Sequence, residues 1–270
     1  MAFVESKGAR IFYEVIDLAA PWVRDPETVI FNHGIGIDHR MWTKWLPALI
    51  ERYRLVRLDM RGFGASSVPP ADAEWTMDLL VGDVFAVARA VGAERFHFVG
   101  ESMGGTVGLC SYFHDPKAIR TITVSNGAHI GATLKNLNDW REVIRDRGMA
   151  GWSAMMTAHR FHEDGLEAAE RAWFDRAQEA CAADSCLNAL GVLRGVDLTA
   201  KLSEISVPVL LLHGDASPFI PASITAELHA GLPDSEMQIF GHAKHGLPLS
   251  HGAQCSQALR AFLDRRMSRH

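Results

Sequence analysis

One serine in this 270-residue chain stands in a setting that suits nucleophilic chemistry. Residues 100–104 read Gly-Glu-Ser-Met-Gly, and a further glycine, Gly105, follows. The apolar β-type run Phe96-His97-Phe98-Val99 precedes the motif, and a helix-compatible segment, Thr106 to Phe113, comes after it. A serine on so sharp a strand-to-helix turn is held in strained backbone with its hydroxyl exposed at the end of a sheet. Glycine is needed on both sides because a Cβ would clash, and the helix N-terminus behind the turn favours negative charge. The same residues also suit a plain Ser-Gly packing turn, so the rest of the chain must decide between the two.

The elements that would position Ser102 alternate along the chain. Residues 2–17 read as two short strands around Gly8. Strands are expected at Val29–Phe31, Leu55–Leu58, Arg95–Val99, Ile119–Val124, Val207–Leu212 and Met237–Phe240. Between them, helical spacing of apolar residues predicts helices at Met41–Arg52, Thr76–Val91 and Gln254–Arg265, with Gly92 as a stop signal. Strands alternating with helices predict an α/β fold: a mostly parallel, doubly wound sheet covered on both faces. The alternation stops between residues 128 and 200. That stretch reads as helical and carries Trp140, Trp152, Trp173, Phe161, Phe174, Met149, Met155 and Met156. It is expected to be an inserted helical cap, with residues 1–127 and 201–270 forming the core. Most of these side chains suit the cap's own packing. A cap over the carboxyl ends of the strands would also wall an apolar pocket there.

Composition narrows the function classes. The chain is 48% hydrophobic, enough for a sizeable core, and its net charge is −5 with no basic block. Neither nucleic acid nor an anionic membrane is expected as a partner. The N-terminus lacks the layout of a signal peptide and no apolar run approaches a membrane span, so a cytoplasmic location is expected. Cys110, Cys181, Cys186 and Cys255 form no C-x-x-C pair, and free thiols are expected rather than a metal or redox site.

Several further motifs stand in order along the chain. His33-Gly34 follows a strand, and Asp59-Met60-Arg61-Gly62-Phe63-Gly64-Ala65-Ser66 follows the next. Gly100–Gly105 comes third. Then come Pro208-Val209-Leu210-Leu211-Leu212-His213-Gly214-Asp215 and a histidine after the last strand. In this order and spacing the chain resembles the α/β-hydrolase superfamily over nearly its whole length. Ser125-Asn126-Gly127-Ala128-His129-Ile130-Gly131 is, more narrowly, similar to a segment of 3-oxoadipate enol-lactonases and related esterase-like proteins. The resemblance implies Ser102 as nucleophile, with a general base among His242 and His245; the motif position favours His245. It also implies an oxyanion hole from the backbone N–H groups of Met103 and of Ile35. His33 is expected to brace its loop, and Asp59 and Arg61 to hold theirs together through a local ion pair.

The family's acid is where the chain departs from the pattern. The segment Gly214-Asp215-Ala216-Ser217-Pro218-Phe219-Ile220-Pro221 puts Ser217 where the family usually has aspartate. Three arrangements fit: a triad completed by Asp215, a Ser-His dyad oriented by a neutral group such as Ser217 or Asn126, or a carboxylate from elsewhere, including the cap. Trp140, Trp152 and Phe219 are the candidate substrate-pocket residues. The expected function is hydrolysis of a small ester or lactone with an apolar body through an acyl-enzyme, without cofactor or metal. Two alternatives stand beside it: C–C bond or enol-lactone hydrolysis on the same Ser-His site, and a ligand-binding protein with little catalysis, which Ser217 would explain.

Overall fold

The β-branched and aliphatic runs of the sequence form one sheet whose alternate residues face opposite sides. The computed structural model describes residues 1–134 and 139–267. Among them the strands are β1 (Ala2–Ser6), β2 (Ala9–Ile16), β3 (Thr28–Asn32), β4 (Arg54–Leu58), β5 (Phe96–Glu101), β6 (Ile119–Ser125), β7 (Val209–Gly214) and β8 (Ser235–Phe240). Their spatial order is β1-β2-β4-β3-β5-β6-β7-β8. β2 runs antiparallel to both β1 and β4. From β4 to β8 every neighbouring pair is parallel. The helices are α1 (Leu46–Leu49), α2 (Met77–Ala90), α3 (Met103–His114), α4 (Trp140–Arg160), α5 (Ala168–Glu179), α6 (Ala183–Arg194), α7 (Ala222–Gly231), α8 (Leu247–Ser250) and α9 (Gly252–Met267).

Two-residue periodicity divides the core. Ile30, Phe98, Ile122 and Leu211 pack with Val84 of α2, Val107 of α3 and Leu228 of α7 on one face. Phe31, Val99, Leu210 and Leu212 pack with Trp45, Leu49 of α1 and Phe262 of α9 on the other. Phe98 and Val99 are both fully buried, each worth about 2 kcal/mol. A one-residue slip of β5 would exchange the two faces and carry Ser102 with it.

One expected helix differs. His39–Trp45 is a 3-10 segment, and α1 begins only at Leu46. Pro47 in the first turn of α1 has no N–H to give and its ring blocks continuation from a preceding turn, so the regular helix starts there. Thr76 caps α2 as its position suggests, its hydroxyl oxygen accepting from the Leu79 N–H. Between β6 and β7 lie α4, α5 and α6; α4 is interrupted at Gly148, whose φ is 65°. The expected cap also includes residues 135–138, which lie outside the described residues. All four cysteines are free. No described helix is long and apolar enough to cross a membrane.

The ion pair expected within the loop after β4 is not formed. Arg61 reaches instead to Asp83 of α2, donating from Nε at 2.7 Å and from Nη2 at 2.6 Å. Asp59 accepts from the backbone N–H and the ring of His39 at 2.7 and 2.8 Å. Arg61 faces α2 while Asp59 faces the 3-10 segment, and Gly62 and Gly64, both at positive φ, turn the chain immediately after them. Both members of the Arg61–Asp83 pair are buried, so deleting one charge strands the other. Asp83→Asn is expected to lower unfolding free energy by about 3 kcal/mol in a denaturant titration, whereas Asp146→Asn, at the exposed Arg145–Asp146 pair, leaves the transition unchanged.

Candidate active site

The carboxyl ends of adjacent parallel strands converge on Ser102. It follows β5, with φ 52° and ψ −116°, a conformation that non-glycine residues adopt only when their surroundings enforce it. The enforcement comes from close backbone approach. A Cβ on Gly104 would overlap the carbonyl groups of Asn32 and His33 at the end of β3. Glycine there lets α3 start directly against β3. The Ser102 N–H donates to the Ser125 carbonyl of β6 at 2.8 Å, which ties the turn on its other side.

His245, in the loop between β8 and α8, lies with Nε2 2.9 Å from Ser102 Oγ. Its Nδ1 is 3.0 Å from Ser217 Oγ. With Nε2 accepting from the Ser102 hydroxyl, Nδ1 carries the proton and donates to Ser217. The Ser217 oxygen also receives the Ile220 N–H at 3.4 Å. Phe219 packs edge-on against the imidazole, with centroids 4.9 Å apart. The other candidates are placed elsewhere. His242 is mostly exposed, pairs with Asp164 at 3.0 Å and stacks on His162. Asp215 does not orient His245. Its carboxylate accepts the N–H groups of His242 at 3.1 Å and Ala243 at 3.0 Å, the capping use open to an aspartate in a turn. Asn126 braces backbone: Nδ2 donates to the His245 carbonyl at 2.9 Å, and Oδ1 accepts from the Gly214 N–H at 3.0 Å.

Among the described residues, the N–H groups of Ile35 and Met103 donate to no protein acceptor. His33 braces the Ile35 loop, with Nδ1 2.7 Å from the Gly34 carbonyl and Nε2 accepting the Met60 N–H at 3.0 Å. Burial pulls the His33 pKa down, which suits a neutral ring acting as donor on one side and acceptor on the other. A narrow pocket opens onto Ser102 and His245. Its walls include Trp140, Met156, Leu190, Phe219 and Arg160. Trp140 and Phe219, two of the expected pocket residues, are thus part of this lining. Trp152 does not line the pocket: it is fully buried, packs edge-on behind Trp140, and fills the space that a Cβ on Gly36 would need.

Two charged residues of the site carried no role in the sequence reading. Arg160, at the end of α4, is buried and donates from Nη2 to the Ile35 carbonyl at 2.6 Å, while its Nε has no acceptor. Glu101, immediately before Ser102, is also buried. Its Oε1 lies 3.6 Å from His245 Nε2, and Oε2 lies against Gly34, where a Cβ would overlap it. Burial pushes the Glu101 pKa up to about 7, against the pull of Arg160 and of the Gly34 amide. Burial, then Arg160 and His213, hold the His245 pKa well below its ordinary value. His213 itself, braced by Ile220 and Thr225, is brought down to about 4 by burial. The signal for Glu101 was a carboxylate closing an otherwise apolar strand; Arg160 had none beyond being a cation among Trp and Met. Asp38, His39 and Asp59 also come together with ligand atoms within 4.8 Å. Their donor atoms are spent internally, Asp59 on His39 and Ala65 and Asp38 on Arg40.

Known proteins resemble this chain in sequence and in fold. A family profile described as alpha/beta hydrolase fold matches residues 27–251. A 3-oxoadipate enol-lactonase of Acinetobacter baylyi is 31% identical over 193 residues, covering 70% of this chain and 71% of that protein. A protein of Agrobacterium fabrum named as a candidate carbamate hydrolase, RutD, is 26% identical and covers 87% of this chain and 92% of its own. The crystal structure of a hydrolase from Pseudomonas aeruginosa superposes with a TM-score of 0.86 at 27% identity, covering 97% of each chain. The strand order, the turn at Ser102 and the matched span of sequence place this chain in the α/β-hydrolase family.

Proposed function

We propose that this hydrolase cleaves a small ester or lactone through a serine-bound acyl intermediate. The observation that carries the reading is the 2.9 Å contact between Ser102 Oγ and His245 Nε2 on a strained turn. Ser102 attacks the carbonyl carbon and His245 takes the Oγ proton. The carbonyl electrons move onto oxygen, which the N–H groups of Met103 and Ile35 hold. Each such donor is worth ~3–4 kcal/mol of barrier. Collapse expels the leaving group with the proton from Nε2, and water resolves the acyl-enzyme by the same base. The helices α4, α5 and α6 act as a cap over the pocket, and the pocket's apolar wall receives the body of the substrate. Arg160 adds one buried cationic donor, which suits a further oxygen on that substrate.

Support for lactones comes from the Acinetobacter enol-lactonase, and the rival C–C bond hydrolysis would use the same pair of side chains. A fluorophosphonate probe is expected to label Ser102 stoichiometrically, with no label on Ser102→Ala. p-Nitrophenyl esters and small lactones are expected to turn over faster than vinylogous diketones. Failure of the intact protein to label, together with unchanged ester turnover in Ser102→Ala, would refute the proposal.

Ser217 supports a second reading, a ligand-binding protein with slow turnover, because a hydroxyl cannot carry the charge that steadies an imidazolium. The two readings separate on Ser217→Asp. Under the hydrolase reading this variant raises kcat on a p-nitrophenyl ester by about 10-fold, a small part of the ~10⁴ that an acid can contribute. Under the binding reading turnover stays negligible. Asp215→Asn is expected to keep the labelling rate, since its carboxylate is engaged by the His242 and Ala243 amides.

A further inference from the structure

Glu101 is costly to the fold. It is 2% exposed, Oε2 has no hydrogen-bond partner, and among the described residues no Lys or Arg lies within ion-pair distance of it; the His245 ring is 3.6 Å away. Burying a carboxylate in this way is unfavourable unless a charge nearby repays it. Space is also reserved for it, since only a glycine at position 34 leaves room for Oε2. The site holds a second buried charge, Arg160, which opposes protonation of His245. The hydroxyl of Ser217 on the far side of the ring offers no compensating charge.

We propose that Glu101 is the negative charge of this catalytic centre, stabilising the imidazolium of His245 from the Nε2 side in place of the carboxylate that Ser217 lacks on the Nδ1 side. The inference rests on the Ser102–His245 reading above. At 3.6 Å the carboxylate does not take the proton in flight. The proton passes from Ser102 Oγ to His245 Nε2 and on to the leaving oxygen, while Glu101 remains ionised throughout. Its charge offsets that of Arg160, so that proton transfer to the ring creates a charge with an anion already beside it. Glu101 is thus an electrostatic positioning residue acting through the histidine.

The sign of the pH dependence follows. The charged and titratable groups around this pair are Arg160 from α4, His245 from the loop after β8, and His213 from β7 acting on His245. The Glu101 carboxyl titrates at about 7, and the working form is the ionised one. Activity therefore falls as pH drops through 7. A second limb, from protonation of His245, lies below its ordinary value of 6.5.

The test is the rate of Ser102 labelling by a fluorophosphonate across pH 5.5–8.5, with Ser102→Ala as blank. In the unmodified protein the rate is expected to rise with pH through about 7. In Glu101→Gln this rise disappears and the rate at pH 8 drops about 10- to 100-fold, the equivalent of one to two pKa units of stabilisation by a neighbouring opposite charge. The two profiles converge at the acid end, where the wild-type carboxyl is also neutral. Glu101→Asp restores part of the rise. Ser217→Asp, tested separately in case Glu101→Gln does not fold, supplies a carboxylate at Nδ1 and flattens the same limb by raising the rate at pH 6. Parallel profiles for wild type and Glu101→Gln, or an undiminished pH 7 limb in Ser217→Asp, would overturn the proposal while leaving labelling of Ser102 intact. Absence of labelling in the wild type at every pH would overturn the hydrolase reading and this proposal with it.

Discussion

The site depends on a close contact between the first turn of α3 and the end of β3, where the carbonyls of Asn32 and His33 sit against Gly104. It forces the chain to leave β5 and enter α3 within one residue, and that residue takes the strained backbone of Ser102. The strain is paid for by the sheet. β5 is paired on both sides along its length, with β3 and β6, and its side chains are buried on both faces. Because the turn is held from both neighbouring strands, the loops that follow those strands are fixed relative to it. The Ile35 amide and the Asn126 side chain owe their positions to this registration, and through Asn126 so does the backbone of His245.

A second theme is how few charges the site admits. Burial drives the ionisable groups around Ser102 toward their neutral forms: His33, His213 and His245 downward and Glu101 upward. A neutral His245 is ready to accept a proton but poorly placed to keep it. Two groups of opposite charge type lie buried near it, Arg160 in the pocket wall and Glu101 beside the ring, in place of a solvent-accessible acid. Asp215, the acid nearest in sequence to the expected position, is mostly exposed and engaged with backbone amides.

Much of this was legible in the chain, for local reasons. The two-sided strands announce themselves as apolar runs bounded by glycine and polar residues, and the Gly-x-Ser-x-Gly turn follows from sterics that act within five residues. His245 was separable from His242 by its place before Gly246, and the structure sets its ring against Ser102. What was not legible depends on partners distant in sequence. Arg61 pairs with Asp83 of α2, twenty-two positions away, and not with the nearby Asp59. Asp215 lost its bond to the histidine through the path of residues 241–243. Trp152 belongs behind the pocket because Gly36, over a hundred positions earlier, leaves it space. Pro47 alone was a local signal that a long helix would not form, and the helical periodicity around it masked that signal.

The end of α4 joins three parts of the molecule. The Arg160 guanidinium holds the Ile35 carbonyl, the Arg160 carbonyl accepts the Gly246 N–H at 2.9 Å, and Lys244 Nζ donates to the Ala158 carbonyl at 2.9 Å. The end of α4 therefore shares hydrogen bonds with the two loops that flank the serine. In modular terms the segment holding α4, α5 and α6 is not freely replaceable. Exchanging it for the corresponding segment of another hydrolase would change pocket shape and, in the same stroke, release the Ile35 and His245 loops from their common anchor. Recombination of this chain would tolerate crossovers inside the insertion better than crossovers at its ends.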